Sequence, residues 1–130
     1  LLFINEVNCM GTALVVEDSL TDIQVFSSCL QQGGMNVLIA HSGEEALTKI
    51  AGHIPDVIIL DVILPGRSGF ELCRDLKSQA NTSNIPIVIC STKGDKIDKF
   101  WGMKQGADAY LSKPIDQEEL VRTVKELIKV

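Results

Sequence analysis

Basic residues are scarce in this chain: 12 Lys and Arg stand against 17 Asp and Glu in 130 residues, a formal net charge of −5. Binding to a phosphate backbone needs clustered cations. No basic stripe occurs, so direct nucleic-acid binding is not expected. Long apolar runs are also missing. Nothing approaches the roughly 18 residues of a membrane span, and Leu1 to Ile4 has neither the basic flank nor the length of a signal peptide. The expected location is the cytoplasm, with no membrane partner. Cys9, Cys29, Cys73 and Cys90 form no CxxC pair, and neither His41 nor His53 lies at metal-ligand spacing from them. Zinc is therefore not expected, and the thiols read as reduced and mostly buried. Linkers, low-complexity tracts and internal repeats are absent as well.

What is present suits one globular domain. The chain is 45% hydrophobic and 22% charged, and its length is enough to bury a real core. Met10-Gly11-Thr12 precedes the first apolar run, so residues 1–11 are expected to be an N-terminal extension, with Met10 as the natural start, and residues 12–130 the domain.

Three short runs carry the argument: Ala13 to Val16, Val57 to Leu60 and Ile87 to Cys90. They are too short for helices and apolar at successive positions, as strands buried on both faces are. Each delivers polar residues at its C-terminal end: Glu17 and Asp18, then Asp61, then Ser91. Lys113 follows a further short strand, Ala109 to Leu111. In an open parallel α/β sheet these ends share one edge, where ligands bind. Three carboxylates gathered there repel one another unless a divalent cation binds between them, and oxygen-only ligands suit Mg²⁺, with Mn²⁺ as its substitute. Lys113 adds the positive charge a phosphoryl group needs, so the constellation reads as a phosphorylation site.

Helical segments alternate with the strands. Ser19 caps a helix to about Gln32, Ser42 one that Pro55 stops, and others run from about Gly69 to Ser78, Asp95 to Gln105 and Asp116 onward. The repeating βα order fits a doubly wound α/β fold. In the fourth helix Phe100 and Trp101 are consecutive, about 100° apart, so both cannot face the core equally. Together with Ile97, Tyr110 and Val121 they are expected to form a docking face on the fourth helix, fifth strand and fifth helix.

The span from Thr12 to Val130 resembles a response-regulator receiver domain of the CheY type. The resemblance rests on Val-Val-Glu-Asp-Ser at the first strand end, Asp61 followed by Val-Ile-Leu-Pro-Gly-Arg-Ser-Gly, Ser91 after a hydrophobic strand, Lys113-Pro114, and Tyr110 three before the lysine. It implies a flavodoxin-like (βα)5 fold with a five-stranded parallel sheet in the order 2-1-3-4-5. It also implies that Asp61 is phosphorylated, and that Asp18, Asp61 and the main-chain carbonyl of Ile63 bind Mg²⁺ while Glu17 holds a metal-bound water. Ser91 and Lys113 would contact phosphoryl oxygens, with the lysine's direction fixed by Pro114 after a cis peptide. Tyr110 would move inward when Ser91 turns to the phosphoryl group. Ile63 and Lys93, two beyond Asp61 and Ser91, would set how long the phosphoryl group persists. Leu64 and Ser91 are modest departures from the commoner methionine and threonine.

The stretch from Cys90 to Lys113 is similar to single-domain PilH-type regulators of pilus-driven motility. The implied partners are a histidine kinase or phosphotransfer domain and an output protein the sequence does not name. The protein would be a monomer, or a dimer promoted by phosphorylation through the docking face. It is read as a signalling domain rather than an enzyme. A receiver forming part of a longer transcriptional regulator is the alternative. A haloacid-dehalogenase-like phosphatase would need an acid where Ile63 stands, and Glu17 and Asp18 would repel the phosphate of a flavodoxin-type cofactor.

Overall fold

The computed structural model describes residues 10–92 and 95–128, and five strands alternate with five helices along them. The strands are β1 (Thr12–Val16), β2 (Asn36–Ala40), β3 (Val57–Leu60), β4 (Ile87–Ser91) and β5 (Ala109–Ser112). The helices are α1 (Leu20–Gln32), α2 (Gly43–Gly52), α3 (Gly69–Ser78), α4 (Lys96–Lys104) and α5 (Gln117–Ile128). All strand pairs are parallel, and the sheet order is β2-β1-β3-β4-β5, as the resemblance implies.

Side chains alternate across a strand, so an uninterrupted apolar run supplies two cores at once. Leu14, Val16, Ile58, Leu60, Ile87 and Ile89 point to one face and pack with Ala46 and Ile50 of α2 and Leu72, Cys73 and Leu76 of α3. Ala13, Val15, Val57, Ile59, Val88 and Cys90 point to the other, against Phe26, Cys29 and Leu30 of α1 and Leu120 and Val124 of α5. Four helices begin at caps visible in the sequence. Ser19, Ser42, Ser68 and Asp95 accept hydrogen bonds from the backbone N–H groups of Asp22, Glu45, Glu71 and Asp98.

The folded unit takes in Met10 and Gly11, which the sequence reading puts in the extension. The Met10 N–H bonds the Gly34 carbonyl at 2.9 Å, and its side chain packs against the α1–α5 core. Cys9 lies outside the described residues, while Cys29, Cys73 and Cys90 are free and buried. Burial pushes the Cys73 thiol up to about 11 and Cys90 higher still, so both stay protonated. No helix among the described residues is long and apolar enough to cross a membrane.

Candidate functional site

Because the sheet order reverses between β2-β1 and β1-β3, a crevice opens at the carboxyl ends of β1 and β3. Residues 17 and 61 directly follow those two strands. Glu17, Asp18 and Asp61 each offer a carboxylate oxygen, and the three lie within 4.8 Å of one another. Glu17 is 1% exposed and Asp61 8%, whereas Asp18 faces solvent. The donor set is oxygen-only and triply anionic, which fits a hard divalent cation such as Mg²⁺.

Glu17 is fully engaged in this arrangement. One of its oxygens accepts the N–H groups of Asp18 and Ser19 at 3.1 and 3.2 Å, and the other accepts from Lys113 Nζ at 2.7 Å. Burial raises the Glu17 carboxyl above its ordinary range, against the pull of Lys113. Asp61 is raised by burial too, with Lys113 and then the N–H groups of Val62 and Ile63 opposing. Lys113 Nζ stands 3.2 Å from Asp61 Oδ1. Burial lowers the ammonium, but bonds to Asp22 and Glu17 and the charge of Asp61 outweigh it, so its proton is held more tightly than usual.

Ser91, 1% exposed, ends β4. Its carbonyl accepts the Lys113 N–H at 2.9 Å, which ties the lysine to the hydroxyl's strand, and the Lys113–Pro114 peptide is cis. Tyr110 lies one residue before Leu111 on β5, and its hydroxyl is hydrogen-bonded to the Ser91 side chain. The ring is buried over Gly102: a Cβ built on that glycine would stand 2.7 Å from Tyr110 Cδ2. The ring is already inside, because Gly102 leaves room for it and Ser91 bonds it there.

The docking face needs one correction. Ile97, Phe100 and Trp101 are exposed on α4, with Phe100 and Trp101 edge to face at 6.3 Å between ring centres. Val121 belongs elsewhere. It packs toward α1, where a Cβ on Gly33 would meet both its methyl groups at 3.1 Å. Leu120 and Val124 fix which side of α5 meets the sheet, and Val121, about 100° around, then turns to α1. Ile63 is a largely exposed side chain in the loop after Asp61, and Lys93 lies outside the described residues.

Sequence reasoning misses Asp22, whose Oδ2 accepts from Lys113 Nζ at 2.8 Å. The available signal is its position in the first turn of α1, four residues after Asp18, which returns it to the same edge.

This is a doubly wound parallel domain whose switch-point crevice gathers three acid oxygens within 4.8 Å of one another and one lysine beside them. Residues 13–125 match the response regulator receiver domain family, and the chain belongs to that family. It is 38% identical over 119 residues to protein PilH of Pseudomonas aeruginosa, covering 92% of this chain and 98% of PilH. A response regulator structure from Chloroflexus aurantiacus superposes with a TM-score of 0.89 at 38% identity, covering 92% of this chain and 98% of that one. The receiver domain of a sensor histidine kinase from Pseudomonas aeruginosa, solved with a magnesium ion in its active-site cleft, superposes with a TM-score of 0.84 at 26% identity, covering 92% and 98%. The protein is thus a two-component response-regulator receiver similar to PilH.

Proposed function

We propose that Asp61 accepts a phosphoryl group from a histidine kinase or phosphotransfer domain in a Mg²⁺-dependent reaction in the cytoplasm. The observation that carries this reading is the place of the Asp61 carboxylate, grouped with the acid oxygens of Glu17 and Asp18 and 3.2 Å from Lys113 Nζ. An Asp61 oxygen attacks phosphorus in line. The phosphorus–nitrogen bond of the donor breaks, its electron pair goes to the imidazole, and the product is an aspartyl phosphate.

Lys113 and Ser91 donate hydrogen bonds to the phosphoryl oxygens as charge builds on them. Asp18, Asp61 and the Ile63 carbonyl are the candidate holders of Mg²⁺, with Glu17 orienting a bound water. Bound there, the ion, or Mn²⁺ in its place, neutralises charge on the transferring group. No residue among these supplies turnover on an outside substrate, so the chemistry is limited to the domain's own phosphorylation and dephosphorylation.

The Ser91–Tyr110 hydrogen bond supports a switch reading. When Ser91 serves the phosphoryl group it releases Tyr110, and the change passes to α4 and β5, where Ile97, Phe100 and Trp101 meet the output partner or a second phosphorylated copy. Pilus motility or taxis signalling is the pathway that the PilH-like sequence supports. A receiver within a longer transcriptional regulator would use the same chemistry.

Intact-mass measurement after incubation with acetyl phosphate tests the reading. One phosphoryl group is expected with Mg²⁺ and none in Asp61→Asn. Retained stoichiometric labelling in that variant, or undiminished labelling in chelator, would sink the assignment.

A further inference from the structure

The Lys113 ammonium has three N–H donors and three carboxylates around it. Its two short bonds go to Glu17 at 2.7 Å and Asp22 at 2.8 Å, and Asp61 is the more distant at 3.2 Å. The Asp22 carboxylate comes from α1, a helix that supplies no member of the acid cluster. Its place there is fixed: the Asp22 N–H bonds the Ser19 cap at 3.3 Å. One helical turn further on, the Phe26 ring lies 5.8 Å from the same Nζ. Asp22 and Phe26 therefore hold the cation from the α1 side, by charge and by the ring face.

We propose that Asp22 is a positioning residue that draws Lys113 toward α1 and off the Asp61 carboxylate, keeping Asp61 open to the metal ion and the incoming phosphoryl group. Without this anchor the ammonium has only Glu17 and Asp61 to serve. A cation resting on Asp61 competes with Mg²⁺ for the same oxygens. With the anchor, Lys113 remains near enough to reach a phosphoryl oxygen by giving up one of three bonds. The inference rests on the reading of Asp18 and Asp61 as metal-binding acids.

The test is a double-mutant cycle on Mg²⁺ affinity, measured calorimetrically on the unphosphorylated protein at moderate salt. Asp22→Asn should weaken Mg²⁺ binding about three- to tenfold, the scale of coupling within one charged network. In the Lys113→Ala background the same change should have little effect, since only a screened, partly exposed charge is then lost. Asp22→Glu, which keeps the charge and can still reach Nζ, should restore affinity toward the parent.

Equal weakening by Asp22→Asn in both backgrounds, or no weakening in the parent, would overturn the proposal. Thermal unfolding in chelator supplies a second, metal-free cycle. Asp22→Asn should lower the midpoint of the parent and leave that of Lys113→Ala unchanged, and equal shifts would show that Asp22 does not act through the lysine. Should the parent bind no Mg²⁺, the metal reading of the acids falls, while the unfolding cycle still decides whether Asp22 holds Lys113.

Discussion

Two regions of this domain break the ordinary rule of apolar inside and polar outside, in opposite senses. At the ends of β1 and β3, carboxylates are buried: Glu17 and Asp61 are almost out of solvent, where an isolated charge is costly. On α4, large apolar side chains are left outside, with Phe100 58% and Trp101 52% exposed. The first region is held rigidly, by backbone N–H groups on Glu17 and by Lys113 across the cluster. The second is held loosely, since Gly102 is the one buried residue of α4. The contrast suits a rigid site that receives a group and a looser surface that answers it, joined by Ser91 and Tyr110.

A glycine in each region tests that contrast most severely. A Cβ on Gly69 would stand 2.1 Å from the Asp61 carbonyl oxygen, and neither backbone can yield without moving the acid. Gly69→Ala is expected to cost about 3 kcal/mol, readable in denaturant unfolding, and to lower phosphorylation with it. At Gly102 the obstacle is the Tyr110 ring, which can swing away. There the roughly 1 kcal/mol that alanine gains in a helix offsets much of the crowding. Gly102→Ala should therefore leave stability within about 1 kcal/mol of the parent while expelling Tyr110 and shifting Trp101 emission. Equal losses at the two glycines would erase the distinction between rigid and yielding regions.

Buried charge gives the next effect, and its sign is set by the raised carboxyls. For Glu17 and Asp61 the folded-state pKa lies above the unfolded one, chiefly through burial. Such groups favour folding below the unfolded carboxylate range, about pH 4, and that contribution is lost as pH rises through the folded values. In chelator at neutral pH, Asp61→Asn should accordingly raise the unfolding midpoint by a few degrees, on the order of 1 kcal/mol for a domain of this size. The gain should shrink as pH falls through the raised Asp61 range, where the folded carboxyl takes up its proton. A midpoint lowered by Asp61→Asn at neutral pH would mean that Lys113 more than repays the burial. Lys113 itself, raised, keeps its contribution until pH passes its unfolded value of about 10.4.

The α4 surface should show the smallest change in stability. Replacing both Phe100 and Trp101 with alanine is expected to shift stability by no more than about 1 kcal/mol, because both are about half exposed and neither belongs to the buried core. A larger loss in calorimetry would place these rings in the fold's support rather than on an answering surface.

The sequence was most legible where chemistry and periodicity coincide. Apolar runs such as Val57 to Leu60 announce two-sided burial, and an acid directly after such a run can only emerge at the strand's carboxyl end. Serine caps made two helix starts readable. What periodicity does not carry is the neighbour of each helix flank. The stripe Leu120 and Val124 identifies the buried side of α5, yet nothing local says that Val121 turns to Gly33 of the α1 end rather than to α4. Asp22 was hidden for the same reason, as an ordinary first-turn acid whose partner lies 91 residues away. The seated Tyr110 depends on the absence of one methyl group at Gly102, a packing fact rather than a pattern.

The central claim is that Asp61 alone among the clustered acids carries the phosphoryl group. Borohydride reduces an acyl phosphate to an alcohol, so treating the protein with acetyl phosphate, Mg²⁺ and then borohydride marks the acceptor permanently for peptide mass spectrometry. The account predicts reduction of Asp61 to homoserine, and at no other acid, only when Mg²⁺ is present. A reduced side chain at Glu17, Asp18 or Asp22, or a phosphate that survives reduction on Ser91, would contradict it.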